Sequence, residues 1–216
     1  MGSFLSFQVY AYPTPVDFSG NPLAWNLEKY PQGILYNIEG NTNLVSFYTP
    51  TVQVAAALWG SIDGSRLRLL HQSTPSPITI QLQEASTGDF SSGYATFDKI
   101  DSLTGEPLHC TAVVEAKDMS LATAKTILHE IGHCLGLGHS MVPESIMSYQ
   151  IESNTFALSI DDEAVINRLY PNNGENPQLP PGCGIGTKNH PLKGWSWFFL
   201  IPLLFFYLSK DKTISG

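Results

Sequence analysis

The sequence predicts an α+β domain, and three observations carry that prediction. Strand-like runs of alternating apolar residues recur in the first half of the chain, at Ile34–Ile38, Leu67–Leu70 and Ile78–Gln83. Two stretches further on keep helical spacing and carry their own start signals, one leading to His129 and one following Ser159. Behind them lies a Pro- and Gly-rich segment with no periodicity, which sets the folded part off from a terminal apolar run. Strands followed by helices, rather than a strict alternation of the two, describe an α+β architecture.

Taken in order, Phe4 to Tyr12 is apolar, and Val9-Tyr10-Ala11 has the small-residue character of a signal-peptidase site, without a basic segment ahead of it. Residues 1–20 therefore read as an extension, either the remnant of a signal peptide or an ordinary N-terminal strand or tail. Ile34–Ile38 alternates as a strand and ends at Gly40-Asn41. Thr51 to Gly60 follows Pro50 and carries Val52, Val54, Ala55, Ala56, Leu58 and Trp59, and reads as a helix rather than a strand. Leu67–Leu70 and Ile78–Gln83 give two more strands, and the Ser/Gly-rich loop from Ala85 to Ser92 leads into Gly93–Phe97. Cys110 opens the apolar run Thr111–Val114, placed in the sheet beneath a helix. Asp118 or Ser120 can cap that helix, in which Leu121, Ala124, Leu128, Ile131 and Leu135 keep the 3.6-residue period. Ser159 and Asp162 have the spacing of a capping box for the last helix.

The predicted helix carries the chemistry. His129, Glu130, His133, Gly136 and His139 have the form H-E-x-x-H-x-x-G-x-x-H. Two histidines four residues apart lie roughly 40° apart on one helical face, so both imidazoles can grip one metal ion. A third ligand six residues on requires the helix to stop and bend, and Gly136 enters a left-handed turn at least steric cost. Three neutral nitrogens and one open position describe a catalytic zinc site rather than a closed structural one. Glu130, next to the first ligand, is placed as general base toward a water activated there. A non-catalytic module that holds zinc as structure and binds peptides in its cleft is the alternative. A site of that kind would have no need of Glu130.

The residues after the motif resemble a known family. Met147 stands eight residues beyond His139, in Ser145-Ile146-Met147-Ser148-Tyr149, and a methionine turn after the long zinc motif marks the metzincins. Ser140 after the third histidine, the short gap to Met147, and Leu158-Ser159-Ile160-Asp161-Asp162 leading to Leu169-Tyr170 are similar to the matrixins, the matrix metalloproteinase family and its bacterial relatives. The similarity covers roughly residues 21–171. It implies a metzincin-type zinc protease domain, with a twisted, mostly parallel sheet, an active-site helix, a Met-turn and a C-terminal helix. It also implies an endopeptidase with one catalytic zinc on His129, His133 and His139, and Glu130 as base. By the same resemblance Gly93–Phe97 is the cleft's edge strand, whose free backbone groups would hold a peptide substrate extended. Matrixins usually place Tyr-Pro after the methionine. Here Tyr149 lies two past Met147, as in astacins and serralysins, where this tyrosine binds the metal at rest and then stabilises the oxyanion. Its other reading is a wall of the specificity pocket. Calcium is often bound in the family, and Glu84, Asp89, Asp98 and Asp101 could supply oxygens.

The remaining features concern placement. The formal net charge is −8 and the 11 basic residues are scattered singly, which excludes a nucleic-acid surface. Cys110, Cys134 and Cys183 make an odd count, so internal pairing is incomplete; Cys110 and Cys134 either pair between sheet and helix or sit as two buried thiols. Residues 172–194 read as a linker. Residues 195–216 read as an anchor or sorting tail, with the apolar run Trp195–Leu208 broken by Pro202 and followed by Lys210 and Lys212. Cys183, the spacer, the apolar run and the basic end together resemble sorting signals of bacterial surface proteins. The expectation is an exported enzyme at the cell surface, in the periplasm or outside the cell, attached to the membrane through 195–208.

Overall fold

In the computed structural model, residues 15–16, 20, 22–85, 92–116, 120–149 and 156–172 are described. The N-terminal segment 1–14, Asp89 of the acidic loop, nearly all of the linker, Cys183 and the apolar run 195–208 lie outside these residues. Among the described residues, no helix is long and apolar enough to cross a membrane.

Five strands form one sheet: β1 (Ile34–Gly40), β2 (Leu69–His71), β3 (Ile78–Glu84), β4 (Gly93–Ile100) and β5 (Pro107–Ala116), in the spatial order β2-β1-β3-β5-β4. The first four in that order run parallel, and β4 closes one edge antiparallel to β5. The pleat sorts the residues. Tyr36, Ile78 and Cys110 stand in register on one face, as do Ile38, Ile80 and Ala112. That face is buried under α1 (Thr42–Gly60) and α2 (Leu121–Cys134). The opposite face carries Asn37, Thr79 and Thr111, and there His109 bridges Asp98 on β4 (2.6 Å) to Thr79 on β3 (3.2 Å). Helices on one face and polar residues on the other confirm the α+β reading.

Helix α1 starts earlier than its pattern suggests, at Thr42 rather than Thr51, and runs through Pro50. Asn41 caps it, its side chain accepting from the Asn43 amide. Pro50 has no N–H to give the Ser46 carbonyl, but both residues are on the exposed side, where water can serve that carbonyl. On the other side Tyr48, Val52, Ala55 and Trp59 are buried, and this burial holds the helix through the proline. Trp59 is fully enclosed, and its indole N–H donates to the Leu128 carbonyl of α2 at 2.8 Å. Helix α3 (Ile160–Leu169) begins with the expected capping box. The Ser159 hydroxyl accepts from the Asp162 amide, and the Asp162 carboxylate accepts from the Ser159 amide.

Cys110 on β5 and Cys134 at the end of α2 form a disulfide, with Cα atoms 5.6 Å apart and both residues fully buried. Of the two alternatives open in the sequence, the structure has the bond. It fastens the active-site helix to the sheet one residue beyond His133.

Candidate metal centre and catalytic cleft

Ser120 starts α2: its side chain accepts from the Thr123 amide, and Asp118 lies outside the described residues. The helix then carries His129, Glu130 and His133 on one side and ends in a Schellman turn. The Gly136 amide donates to the His133 carbonyl and the Leu137 amide to the Gly132 carbonyl. Gly136 has φ +89°, and a Cβ there would also run into the Leu23 carbonyl, so two independent constraints call for glycine. The last carbonyls of the helix find donors elsewhere. Trp25 Nε1–H donates to Cys134 O at 2.7 Å, and the buried Tyr170 hydroxyl donates to Leu135 O at 2.7 Å. Sequence reasoning did not single out Trp25 and named Tyr170 only as the end of the last helix; the signal for this role is only that large polar-tipped aromatics, once buried, need a partner.

The turn brings the three histidines together. Ring centroids lie 4.6 Å apart for His129–His133, 4.7 Å for His133–His139 and 5.2 Å for His129–His139. One nitrogen from each lies within 4.8 Å of the others, so the three could hold one metal ion. Two of the rings are oriented by the backbone. His129 Nδ1–H donates to Ile146 O and His133 Nδ1–H to Leu137 O, each at 2.7 Å. In that tautomer Nε2 keeps its lone pair for a ligand. Burial lowers the proton affinity of all three, that of His129 to a pKa of about 4 with help from the neighbouring imidazoles. The site is therefore neutral and ligand-ready at ordinary pH.

Met147 is fully buried beneath this cluster. A Cβ on Gly132 would collide with its sulfur and with the Trp59 ring, so the glycine between Glu130 and His133 is what lets the turn press against the helix. The turn is held from below by Asp162, a fully buried residue whose carboxylate accepts from Ser145 Oγ (2.6 Å) and the Ile146 amide (3.1 Å). Ile146 also accepts from His129 through its carbonyl. One carboxylate thus caps α3 and fixes the loop that orients His129; the sequence disclosed only the first of these roles. Ser140 ties its amide to Met147 O at 2.7 Å and its hydroxyl to Asp161 at 2.7 Å, directly behind His139.

Glu130 lies in the same cleft, a cavity of about 380 Å³ walled by Tyr94, Ala95, Phe97 and Leu137. Only 4% of the residue is exposed, and Oε2 is enclosed without a hydrogen-bond partner among the described residues. Burial pushes its pKa up from 4.5 to about 7. A carboxylate poised there can take and return protons near neutrality. Tyr149 lies at the rim, 65% exposed, with its ring tilted 30° over His139 at 4.3 Å. Of the expected calcium donors, Asp89 lies outside the described residues and the other three make separate contacts. Asp98 is engaged by His109 and Thr111, Asp101 closes its own turn onto the amides of Leu103 and Thr104, and Glu84 is 3.4 Å from Asn41.

Comparison with known proteins agrees with this geometry. The family model described as Matrixin matches residues 57–171, more than half of the chain. Among relatives, macrophage metalloelastase of Rattus norvegicus is 30% identical over 207 residues, covering 79% of this chain and 41% of its own length. Matrilysin of Rattus norvegicus is 56% identical over 45 residues, 19% of this chain and 17% of that protein. Matrix metalloproteinase-25 of Homo sapiens is 45% identical over 58 residues, 24% and 10% of the two chains. The chain thus spans less than half the length of each of these relatives.

Proposed function

The chain belongs to the matrixin family, and from that membership and the geometry of the cleft we propose that it is a zinc-dependent endopeptidase. The observation that carries the reading is the placement of three convergent, neutral imidazoles beside a buried carboxylate with one unpartnered oxygen. Zinc fits this donor set. Three nitrogens leave a coordination position open, and Glu130 Oε2 has no hydrogen-bond partner among the described residues. Zinc held by His129, His133 and His139 supplies the Lewis acidity that makes a water nucleophilic near neutral pH.

The chain's own groups do the rest. Glu130 accepts the proton of the attacking water and gives it to the nitrogen of the departing amine, so the peptide C–N bond breaks without a charged amide leaving. β4 is an edge strand among the described residues, and its outer side at Tyr94 and Ala95 offers its backbone to an extended peptide and aligns the scissile carbonyl. Tyr149, lying over His139, adds its phenol to stabilise the developing oxyanion. Gly136 and Met147 act through the ligands by shaping the turn and the floor beneath them.

The disulfide supports export, because such bonds persist in oxidising compartments. The apolar run 195–208 supports attachment to a membrane. Retention of the full chain in the membrane fraction after an alkaline wash, and its loss on removal of 195–216, would bear this out.

The function is tested by assaying the zinc-loaded full chain on a mixed peptide library beside Glu130→Ala and Tyr149→Phe. The parent is expected to cleave, and a zinc chelator to stop it. Glu130→Ala should keep one zinc per chain and lose nearly all turnover, and Tyr149→Phe should lose about tenfold in kcat. Full activity in Glu130→Ala would sink the mechanism. Zinc without cleavage in the parent would favour a peptide-binding module.

A further inference from the structure

The first residue of the edge strand has a role that its backbone conformation does not explain. Gly93 is absent from the glycines with positive φ, so no left-handed turn calls for it. Space does. A Cβ at this position would stand 2.8 Å from Glu130 Cγ, 2.9 Å from Glu130 Oε1 and 2.8 Å from Thr126 Cγ2. Thr126 and Glu130 are neighbours one turn apart on α2, and the bare Gly93 backbone settles into the notch between their side chains.

The strand cannot simply retreat to make room. Gly93 is in register with Val114 on β5, Ser92 O accepts from the Glu115 amide at 2.8 Å, and Ser92 Oγ donates to Glu115 Oε2 at 2.6 Å. The carboxylate arm meets this fixed backbone in the cleft that the three histidines also line. We propose that Gly93 is a positioning residue for Glu130: its missing side chain lets β4 close against the carboxylate arm and hold it in one orientation toward the metal centre. The kinetic consequence rests on the endopeptidase reading above; the contact itself does not.

Two measurements on the zinc-loaded full chain test this. In peptide cleavage, Gly93→Ala is expected to lower kcat at least tenfold with KM within about twofold and zinc content unchanged, because the arm and not the substrate is displaced. Adding Thr126→Ser opens the notch from its other side, keeps the hydroxyl that donates to Ala122 O, and should restore part of the lost kcat. A rise in KM with kcat intact would overturn the proposal in favour of a simple substrate-binding role for the strand. The second measurement needs no turnover. Gly93→Ala should lower the thermal midpoint by about 4 °C in the parent and by less than half as much in a Glu130→Ala background. Equal losses in the two backgrounds would overturn the proposal, and a parent that cleaves nothing would overturn the endopeptidase reading while leaving this cycle decisive.

Discussion

At the scale of single residues, the burial of Glu130 sets how the stability of the metal-free protein should vary with pH. Its folded-state pKa is raised from 4.5 to about 7 by burial, so the protonated form is the one that the fold favours. The stabilisation is complete below pH 4.5 and is lost as pH rises through 7. By pH 8 the enclosed carboxylate should cost the metal-free protein about 3 kcal/mol. His129 runs the other way. Its pKa is lowered to about 4, so its contribution is lost as pH falls from 6.5. The histidine is the same in parent and Glu130→Gln, so comparing their unfolding isolates the carboxylate. In chelator, Glu130→Gln is expected to be the more stable by an amount that grows from pH 5 to pH 8. With zinc the gap should shrink, since a cation beside Glu130 stabilises the charged form. A gap independent of pH would mean that the carboxylate is solvated. The histidines, Glu130 and Gly136 were legible in the sequence because their spacing on a helix is itself the geometry. The packing roles of Gly93 and Gly132 and the second role of Asp162 were not, because each serves a residue distant in the chain, and only the packed structure shows which one.

At the scale of elements, local rules and tertiary burial divided the outcome. Both start signals of α2 and α3 were readable, since a cap and its amide lie within three residues of each other. The start of α1 was not, because Pro50 is a local stop that burial of Tyr48 and Trp59 overrides. The pairing of Cys110 with Cys134 also depended on something non-local, the register that sets β5 under the end of α2. That bond closes a loop with a sequence separation of 24, for which chain entropy gives a stabilisation of about 3 kcal/mol. It also clamps the helix end on which His133 and the turn to His139 depend. The double variant Cys110→Ala/Cys134→Ala should therefore lower the urea midpoint and weaken zinc binding together. Chelator-competition titration would check the second effect. A stability loss with zinc affinity unchanged would show that the turn is held by Gly136, Trp25 and Tyr170 without help from the disulfide.

At the scale of the whole molecule, the three histidines come from parts that also meet through the core. His129 and His133 belong to α2, whereas His139 belongs to the loop that Ser140 and Asp161 fasten to α3. Ile146 joins that loop to His129 through its carbonyl and to Asp162 through its amide. Metal binding therefore selects the arrangement in which α2, the methionine turn and α3 are all in place, and by mass action it stabilises that arrangement over the unfolded chain. At a free zinc concentration about 1,000 times the dissociation constant, the gain is about 4 kcal/mol, or on the order of 10 °C in the unfolding midpoint of a domain of this size. Removing zinc should lower the midpoint by that amount, and the shift should vanish in His139→Ala although α2 still carries two imidazoles. The sheet-side half of the core, built on Ile34, Ile78 and Ile80, contains none of the three histidines and should keep its slow amide exchange without metal. Hydrogen exchange on the full chain with and without chelator would separate the two cases. Protection lost only from α2 onward would make zinc the fastener of the catalytic half, and uniform loss would mean that sheet and site fold as one unit.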